Sequence, residues 1–338
     1  MKNITLAFLY NVRHQYPDLK NRYLQFEADF DDQATIDKII WYLRKVVKRV
    51  IPIEANEKAY LELYEKRKKI DLVFNYSEGI FGKDRYAQIP AMLEMLQLPF
   101  TGSSPLTQSL VLRKPKMKEI LMAYKIPTLP FQLFKNGNEK LNSDLKFPLI
   151  VKPCARGSSA GIMNSSIVND LKSLKTRINW IIKTFNEPAL VEPLLAGREF
   201  SVPLIGNPPR VLPFVEPNHK LLPKEYLPID SFEVKWFVEE QAETNHLTCP
   251  AKVDQKLKDR VSEICLAAWK ALEINDWCRM DVRCDMKNQP YILDVNSPPG
   301  LMPPEISVTS YLPLSARSAS ISFQELLDLV ISTAMKRI

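Results

Sequence analysis

The segment from Arg279 to Asn296 constrains the fold most, because it alternates polar and apolar residues on both sides of a polar centre. This pattern predicts a β-hairpin in which Asp281 faces Asp294 and Arg279 faces Asn296. Residues two apart in a strand share a face, so these four polar side chains are expected on one side of the hairpin. The apolar residues between them are predicted to face a core, namely Met280, Val282, Leu293 and Val295.

Two carboxylates that face each other across a hairpin repel, so the pair Asp281 and Asp294 requires compensation. A hard divalent cation, Mg²⁺ or Mn²⁺, would provide it, with oxygen ligands from Asp281, Asp294 and Asn296. Such an ion commonly holds the phosphates of a nucleotide. The alternative is a solvent-exposed polar face on which Arg279 neutralises one aspartate. The hairpin by itself leaves both interpretations open.

The residues after the hairpin form a stiff turn, Asn296-Ser-Pro-Pro-Gly300. The prolines fix the backbone, and Gly300 allows it to approach a ligand closely. An exposed N–H at Gly300, beside Arg279, would stabilise a developing oxyanion.

The first hundred residues alternate between strand-like and helical patterns, which is typical of a parallel α/β unit. Strands are predicted at 4–10, 50–53, 70–75 and 98–102, and helices at 35–50, 57–68 and 89–96. Beyond a predicted boundary near 110–125, two short strands deliver Lys152 and Glu192. Residues 200–245 are proline-rich and read as irregular, and helices are predicted at 112–123, 253–272 and 323–335. These patterns suggest three domains, 1–110, 111–195 and 196–338.

Composition excludes several classes of protein. No apolar run approaches the roughly 20 residues that a membrane span needs, and the start of the chain reads as a strand rather than a signal peptide. Five scattered cysteines without a C-x-x-C pair, and only three histidines, argue against a zinc site or a disulfide framework. The net charge of +7 fits an anionic nucleotide cleft as well as nucleic acid, and no aromatic-basic motif supports nucleic acid. We expect a cytoplasmic protein with neither nucleic-acid nor membrane partners.

From about Asn75 to the C-terminus, the motifs resemble the D-alanine–D-alanine ligase branch of the ATP-grasp superfamily, in family order. They are Phe100-Thr-Gly-Ser103, Lys114, Lys152-Pro153, the serine loop (residues 155–161, with Gly157-Ser158-Ser159-Ala160-Gly161), Val191 to Phe200, Arg279-Met-Asp281 and Asp294 to Gly300. The resemblance implies an N-terminal parallel α/β domain, a small central α+β lid domain and a C-terminal antiparallel-sheet domain. The ATP cleft would lie between the last two.

The resemblance implies an ATP-dependent carboxylate–amine ligase that works through an acyl phosphate, with Mg²⁺ and small carboxylate and amine substrates. It assigns phosphate contacts to Lys114, Lys152, Lys235, Ser158 and Ser159, adenine contacts to Glu192 and the Leu195 N–H, ribose contacts to Glu199, and oxyanion stabilisation to Arg279 and Gly300. Each residue has a simpler alternative: Lys114 and Lys235 as surface lysines, Glu199 as the ion-pair partner of Arg198 or another cation, and the serine loop as a flexible connection.

Departures from the family pattern cluster at its substrate contacts. Asp294 stands where the family usually has glutamate, Trp236 replaces a tyrosine, and Arg85 replaces an acidic residue. After Gly300 the chain reads Leu-Met-Pro-Pro-Glu305, where the family carries a serine that holds the second substrate's carboxylate, and Glu305 would repel a carboxylate there. We therefore expect amino-acid-like substrates other than two D-alanines. The alternatives are a D-alanine–D-alanine ligase proper and a non-catalytic ATP-binding regulatory module; the resemblance also makes a homodimer one expected arrangement.

Overall fold

The chain begins with a parallel sheet in the computed structural model, which describes residues 2–14, 27–239 and 246–338. The elements are β1 (Lys2–Tyr10), α1 (Gln33–Val46), β2 (Val47–Glu54), α2 (Ala59–Lys66), β3 (Leu72–Asn75) and α3 (Gln88–Met95). The strand order is β2-β1-β3, and both pairings are parallel. The predicted α/β unit is confirmed, although α1 ends at Val46 and β2 follows at once. The β-branched residues from Val46 onward therefore belong mainly to the strand, where they pack well.

A second sheet, entirely antiparallel, forms the middle of the chain. Its elements are α4 (Pro105–Leu112), α5 (Lys114–Ala123), β4 (Gln132–Phe134), β5 (Leu149–Pro153), β6 (Ile167–Val168), α6 (Leu171–Phe185) and β7 (Ala189–Pro193). The order is β4-β7-β5-β6, and α6 covers one face with Ile178 and Ile181. Because Ile150 pairs with Glu192, the alternation of side chains places Glu192 and Lys152 on the same face.

A third sheet, also antiparallel, is built around the predicted hairpin. Its elements are β8 (Glu199–Ile205), β9 (Arg210–Val211), β10 (Glu216–Pro217), β11 (Leu247–Thr248), α7 (Gln255–Ala271), β12 (Trp277–Cys284), β13 (Pro290–Asn296), α8 (Tyr311–Ser318) and α9 (Phe323–Arg337). The order β13-β12-β8-β9 makes β8 an interior strand, while β10 and β11 pair separately. The prediction that 200–245 is irregular is therefore wrong at its start; residues 240–245 lie outside the described residues.

The predicted register of the hairpin is confirmed at its site end, where Arg279 pairs with Asn296 and Asp281 with Asp294. A β-bulge follows, so that Val282 pairs with Ile292 instead of Leu293. The prediction of a buried Leu293 is consequently wrong. Ile292 enters the core in its place, with Met280, Val282 and Val295 as predicted. The extra residue of a bulge breaks the strict alternation of faces, and here it turns Leu293 toward a cavity.

The last helix, α9, returns to the beginning of the chain. Its buried residues Leu326, Leu327 and Val330 share a core with Ile36 and Leu43 of α1. A capping box formed by Ser322 and Glu325 starts the helix. None of the helices in the described ranges is long and apolar enough to span a membrane. Each of these sheets, the separate β10–β11 pair included, lies within one predicted domain, and the domain boundaries themselves stay a prediction.

Candidate active site between two antiparallel sheets

A cavity lies between the central sheet, at β5 and β7, and the C-terminal sheet, at β8, β12 and β13. Most of the predicted site residues line it together. They are Lys114, Lys152, Ser158, Ser159, Glu192, Leu195, Glu199, Lys235, Arg279, Asp281, Asp294 and Asn296. The fold thus brings to one place residues that are more than 180 positions apart in the sequence.

Asp281 is the most heavily bonded carboxylate on the polar face of the hairpin. Arg279 Nε and Nη2 donate to its two oxygens at 3.0 and 2.9 Å, in a two-point ion pair. The Ser201 hydroxyl donates at 2.6 Å and Asn296 Nδ2 at 3.0 Å. Burial alone would raise the pKa of Asp281, but the Arg279 guanidinium, together with Lys235 and the Ser201 hydroxyl, outweighs burial and that pKa is lowered. Asp281 is therefore an anion with a fixed orientation.

Asp294, directly across the hairpin, has a cation of its own. Lys114, at the first position of α5, donates its ammonium group to Asp294 Oδ2. The two facing aspartates are thus compensated separately, by Arg279 and by Lys114. Among the described residues, no three His, Cys, Asp or Glu side chains cluster as a metal site. Any ion here would depend on the two aspartates together with the amide of Asn296.

Glu192 is buried between two lysines. Its side chain is 1% exposed, Lys118 Nζ lies 3.0 Å from Oε2, and Lys152 bonds Oε1. Burial alone would raise the pKa of Glu192, but the two ammonium groups outweigh it and the pKa is lowered. The pKa of Lys118, whose side chain is fully buried, is lowered mainly by burial. A buried anion held in this way is a strong and well-oriented hydrogen-bond acceptor.

Glu199, at the start of β8, has an arginine and a histidine as neighbours. Arg283 Nη1 donates to Glu199 Oε2 at 3.1 Å, and His219 Nε2 lies 3.0 Å from the same oxygen. Arg198 instead forms a two-point pair with Glu216, at 2.7 Å for both bonds. The alternative of an ion-paired Glu199 therefore holds, but with Arg283 as the partner. The residue still lines the cavity, where its carboxylate can accept hydrogen bonds.

Lys235 and the serine loop close the same cavity. Lys235 Nζ lies 3.1 Å from Asp230 Oδ2. Burial would lower the pKa of Lys235, but Asp230, Glu239 and Asp281 together outweigh burial and that pKa is raised. The loop is fastened beside it, because the Ser159 hydroxyl donates to the Asp230 carbonyl at 2.8 Å. Ser158 and Ser159 have φ of 46° and 57°, in the left-handed region. The loop thus has a specific conformation that presents two adjacent serines to the cavity.

Comparisons with known proteins agree with this geometry. The model for the D-ala D-ala ligase C-terminus matches residues 120–332. The D-alanine–D-alanine ligase A of Bacillus cereus is 31% identical over 308 residues, which cover 89% of this chain and 92% of the relative.

The chain belongs to the D-alanine–D-alanine ligase family. A Sinorhizobium fredii protein called uncharacterized protein y4sG is 35% identical over 267 residues, covering 79% of this chain and 75% of the relative. The fold matches a crystal structure of the D-alanine–D-alanine ligase of Bacillus anthracis complexed with ATP. The TM-score is 0.72 at 24% identity, covering 99% of this chain and 98% of the other. The chain is thus an ATP-grasp carboxylate–amine ligase.

Four residues predicted for the site of this ligase lie outside the cavity lining: Gly300, Glu305, Arg85 and Trp236. Gly300 is exposed, and a Cβ built on it would meet no atom of the described residues within 4 Å. Trp236 lies beside the serine loop, with its Nε1 3.4 Å from the Ser158 carbonyl, and carries the Arg13 guanidinium 4.4 Å from its ring centroid.

The prediction that Glu305 contacts substrate is not supported. Its carboxylate is exposed and accepts from the Tyr42 hydroxyl at 2.7 Å, and Lys38 Nζ lies 3.3 Å from the same oxygen. Both partners belong to α1, so the chain after Gly300 turns toward the N-terminal α/β unit. Arg85 is also placed otherwise than predicted, because it is buried and paired with Asp29 rather than open to a substrate.

The residues at or beside this site that were missed in the sequence include Lys118, Arg283 and Tyr76. Arg283 follows Arg279 and Asp281 at the same spacing of two on β12, and Lys118 lies four positions after Lys114 on α5, so both had a detectable signal. Tyr76 had none. Its hydroxyl donates to Asp31 at 2.8 Å and accepts from the Leu301 N–H at 3.0 Å, which ties the residue after Gly300 to the first domain.

Proposed function

We propose that this ligase uses ATP to activate a carboxylate as an acyl phosphate and then forms an amide with an amine. The observation that carries the proposal is the cavity itself, where Lys114, Lys152, Lys235 and Arg279 line the same space as the oxygen ligands of the hairpin. Phosphoryl transfer depends mainly on positioning and on neutralising charge, and these are the features that the cavity provides.

The nucleotide would lie between the two antiparallel sheets. Glu192 would accept from the adenine amino group, the Leu195 N–H would donate to a ring nitrogen, and Glu199 would hold the ribose hydroxyls. Each of these residues lines the cavity, and Glu192 is held as an anion by its two lysines. The structural relative from Bacillus anthracis is described as complexed with ATP, which supports a nucleotide in this position.

The polar face of the hairpin fits a hard divalent cation, Mg²⁺ or Mn²⁺. The donors are carboxylate oxygens of Asp281 and Asp294 and the amide oxygen of Asn296, and all three residues line the cavity. Asn296 donates its Nδ2 to Asp281, which leaves its oxygen as a ligand. Carboxylate and amide oxygens suit Mg²⁺. Such an ion would neutralise phosphate charge when bound.

The steps follow from the placement of the chain's own groups. A substrate carboxylate attacks the γ-phosphorus to give an acyl phosphate and ADP, and an amine then displaces phosphate from the acyl carbon. Arg279, oriented by Asp281, would stabilise the tetrahedral oxyanion with the Gly300 N–H. Ser158 would donate its hydroxyl to the γ-phosphate, and Ser159 would do so by exchanging its present bond to the Asp230 carbonyl. The serine loop would exclude water that could hydrolyse the acyl phosphate.

We propose amino-acid-like substrates that include a small carboxylate and an amine. A second candidate is the ligation of D-alanine to D-alanine, and the names of the Bacillus cereus relative and of the Nitrosococcus oceani relative (31% identical over 251 residues) favour it. The repulsion expected from Glu305 no longer argues against two D-alanines, because that carboxylate is bound by Tyr42 and Lys38 of α1. Trp236, in place of the family's usual tyrosine, still distinguishes this chain from the family pattern.

Release of ADP, measured over a panel of D- and L-amino acids offered singly and in pairs, tests the proposal. We expect release that depends on both a carboxylate and an amine, and that is lost in Arg279→Ala. Selective turnover of D-alanine with D-alanine would establish the second candidate. ATP binding without ADP release for every pair would indicate the non-catalytic module and overturn the proposal.

A further inference from the structure

The serine loop is attached to the first domain by a buried ion pair. Arg85 Nη2 pairs with Asp29 Oδ2, and the two side chains are 5% and 4% exposed. Arg85 Nη1 donates to the carbonyl of Ala155, the first residue of the loop, at 3.0 Å. Asp29 Oδ2 also lies 3.4 Å from the Gly157 N–H. Both members of the pair thus bond the loop backbone as well as each other.

The backbone at Gly157 lies in close contact with Asp29 and Tyr86. A Cβ at this position would lie 2.5 Å from Asp29 Oδ1, which is too short for a real contact, and 3.1 Å from the Tyr86 hydroxyl oxygen, which is tighter than most real contacts. The φ of Gly157 is not in the left-handed region, so the backbone conformation itself does not demand glycine. Glycine is needed here because the loop backbone lies directly against the Asp29 carboxylate.

The opposite side of the serine loop contacts the C-terminal domain. Ser159 bonds the Asp230 carbonyl, and the Phe232 N–H donates to the Ile162 carbonyl at 2.7 Å, just beyond the loop. The loop is therefore held between two domains. The Arg85–Asp29 pair supplies the attachment on the first-domain side.

We infer that Arg85 and Asp29 are positioning residues, which hold the serine loop closed over the transferred phosphate in the reaction proposed above. Removing one member of a buried ion pair leaves an uncompensated charge, so the other member would no longer keep its place against the loop. A loosened loop would admit water, and the acyl phosphate would be hydrolysed before the amine attacks. The consequence is loss of coupling: ADP is still released, but less amide is formed for each ADP.

Arg85→Gln and Asp29→Asn test the inference, with Arg113→Gln as the matched control. Arg113 also pairs with an aspartate, Asp84, but the two side chains are 37% and 45% exposed. Gly157→Ala is a further variant that leaves the buried pair intact and pushes the loop away from Asp29. It keeps the test decisive if either charge variant fails to fold.

Two measurements are made on each variant. The first is hydrogen exchange in peptides that cover residues 155–161, which requires no substrate. We expect exchange at least about 10-fold faster in the three loop variants and unchanged in Arg113→Gln. The second is the ratio of ADP released to amide formed, expected to rise at least about fivefold in the same three variants.

Unchanged hydrogen exchange in the three loop variants would contradict the inference that the ion pair holds the loop. Faster exchange with an unchanged ratio of ADP to amide would contradict its role in coupling. Absence of ADP release from the unaltered chain with every substrate pair would instead contradict the proposed function. Hydrogen exchange would still decide whether the pair positions the loop.

Discussion

Lys118 Nζ lies 3.0 Å from Glu192 Oε2, and this contact is sealed from solvent, since the two side chains are 0% and 1% exposed. Glu192 also bonds Lys152, so two cations share one carboxylate behind the cavity. The arrangement makes Glu192 the most protected anion of the site, and it gives Lys118 a role that its position on α5 alone would not suggest.

Lys118→Met is expected to weaken ATP binding, because Glu192 would lose one of the two cations that keep it ionised and oriented. A hydrogen bond to a charged group contributes about 1.5–3 kcal/mol, so we expect the KM for ATP to rise roughly 10- to 100-fold with a smaller change in kcat. ADP release measured against ATP concentration checks this. Lys116→Met is the control, since Lys116 is exposed on the same helix and pairs with Glu119. Equal KM values for the two variants would refute the role of Lys118.

Asp294→Asn is expected to raise the Mg²⁺ concentration needed for half-maximal ADP release at least about 10-fold, because one anionic ligand is lost. Asp294→Glu, which restores the family's usual residue, is expected to keep the response to Mg²⁺. Asp285→Asn is the control in the same hairpin, where the side chain only accepts from the Lys287 and Gln289 N–H groups. A response to Mg²⁺ unchanged by Asp294→Asn would exclude this residue as a ligand.

Tyr76→Phe is expected to lower kcat about 10-fold, a change of about 1.4 kcal/mol in the barrier, and to leave the KM for ATP nearly constant. The variant removes the hydroxyl that accepts from the Leu301 N–H and so loosens the backbone next to Gly300. Tyr42→Phe removes another hydroxyl that bonds the same segment, at Glu305, and should leave kcat unchanged. If both variants lowered kcat equally, the hydrogen bond from the Leu301 N–H to Tyr76 would have no specific role in catalysis.

Asp31 makes the stability of the protein dependent on pH. Burial raises its pKa from 3.8 to about 6, against the opposing effects of the Tyr76 hydroxyl and of Arg13. The folded state therefore holds a proton on Asp31 that the unfolded state releases at lower pH. The stabilising contribution is complete below about pH 4 and is lost as the pH rises through about 6.

Chemical denaturation at several pH values, compared with Asp31→Asn, measures this contribution. The free energy of unfolding of the unaltered chain, minus that of the variant, should fall by up to about 3 kcal/mol between pH 4 and pH 7. A difference that stays constant or increases over this range would contradict the buried, protonated carboxyl.

Much of the fold could be predicted because the signals were local. The α/β alternation, the hairpin and its pairing at Asp281 and Asp294 depend on side-chain periodicity, which the structure keeps. Strand β8 was missed because Pro203 interrupts it, and proline is unusual in an interior strand. The bulge at Leu293 was missed because no glycine or proline marks it.

Site residues could be predicted where family motifs fix their positions in the sequence. They could not be predicted where only the tertiary fold brings residues together. Lys152, Glu192 and Arg279 come from such motifs and line one cavity. The position of Glu305 beside α1 could not be foreseen, because its distance in sequence from Gly300 does not determine where the chain goes after an irregular turn. The contact of Arg85 with Asp29 joins residues 56 positions apart, and no periodicity relates them.

The bulge in β13 lets two consecutive residues, Leu293 and Asp294, both line the cavity. A regular strand would have sent one of them to the opposite face. An apolar surface suited to a flat base and a carboxylate suited to an ion therefore stand next to each other on one backbone. Because the pairing continues undisturbed on both sides of Leu293, the hairpin could close without this residue. Leu293 thus contributes to the cavity rather than to the pairing of the strands. Deleting this one residue would remove the apolar surface suited to a nucleotide's base and would leave the charged residues of the hairpin in place.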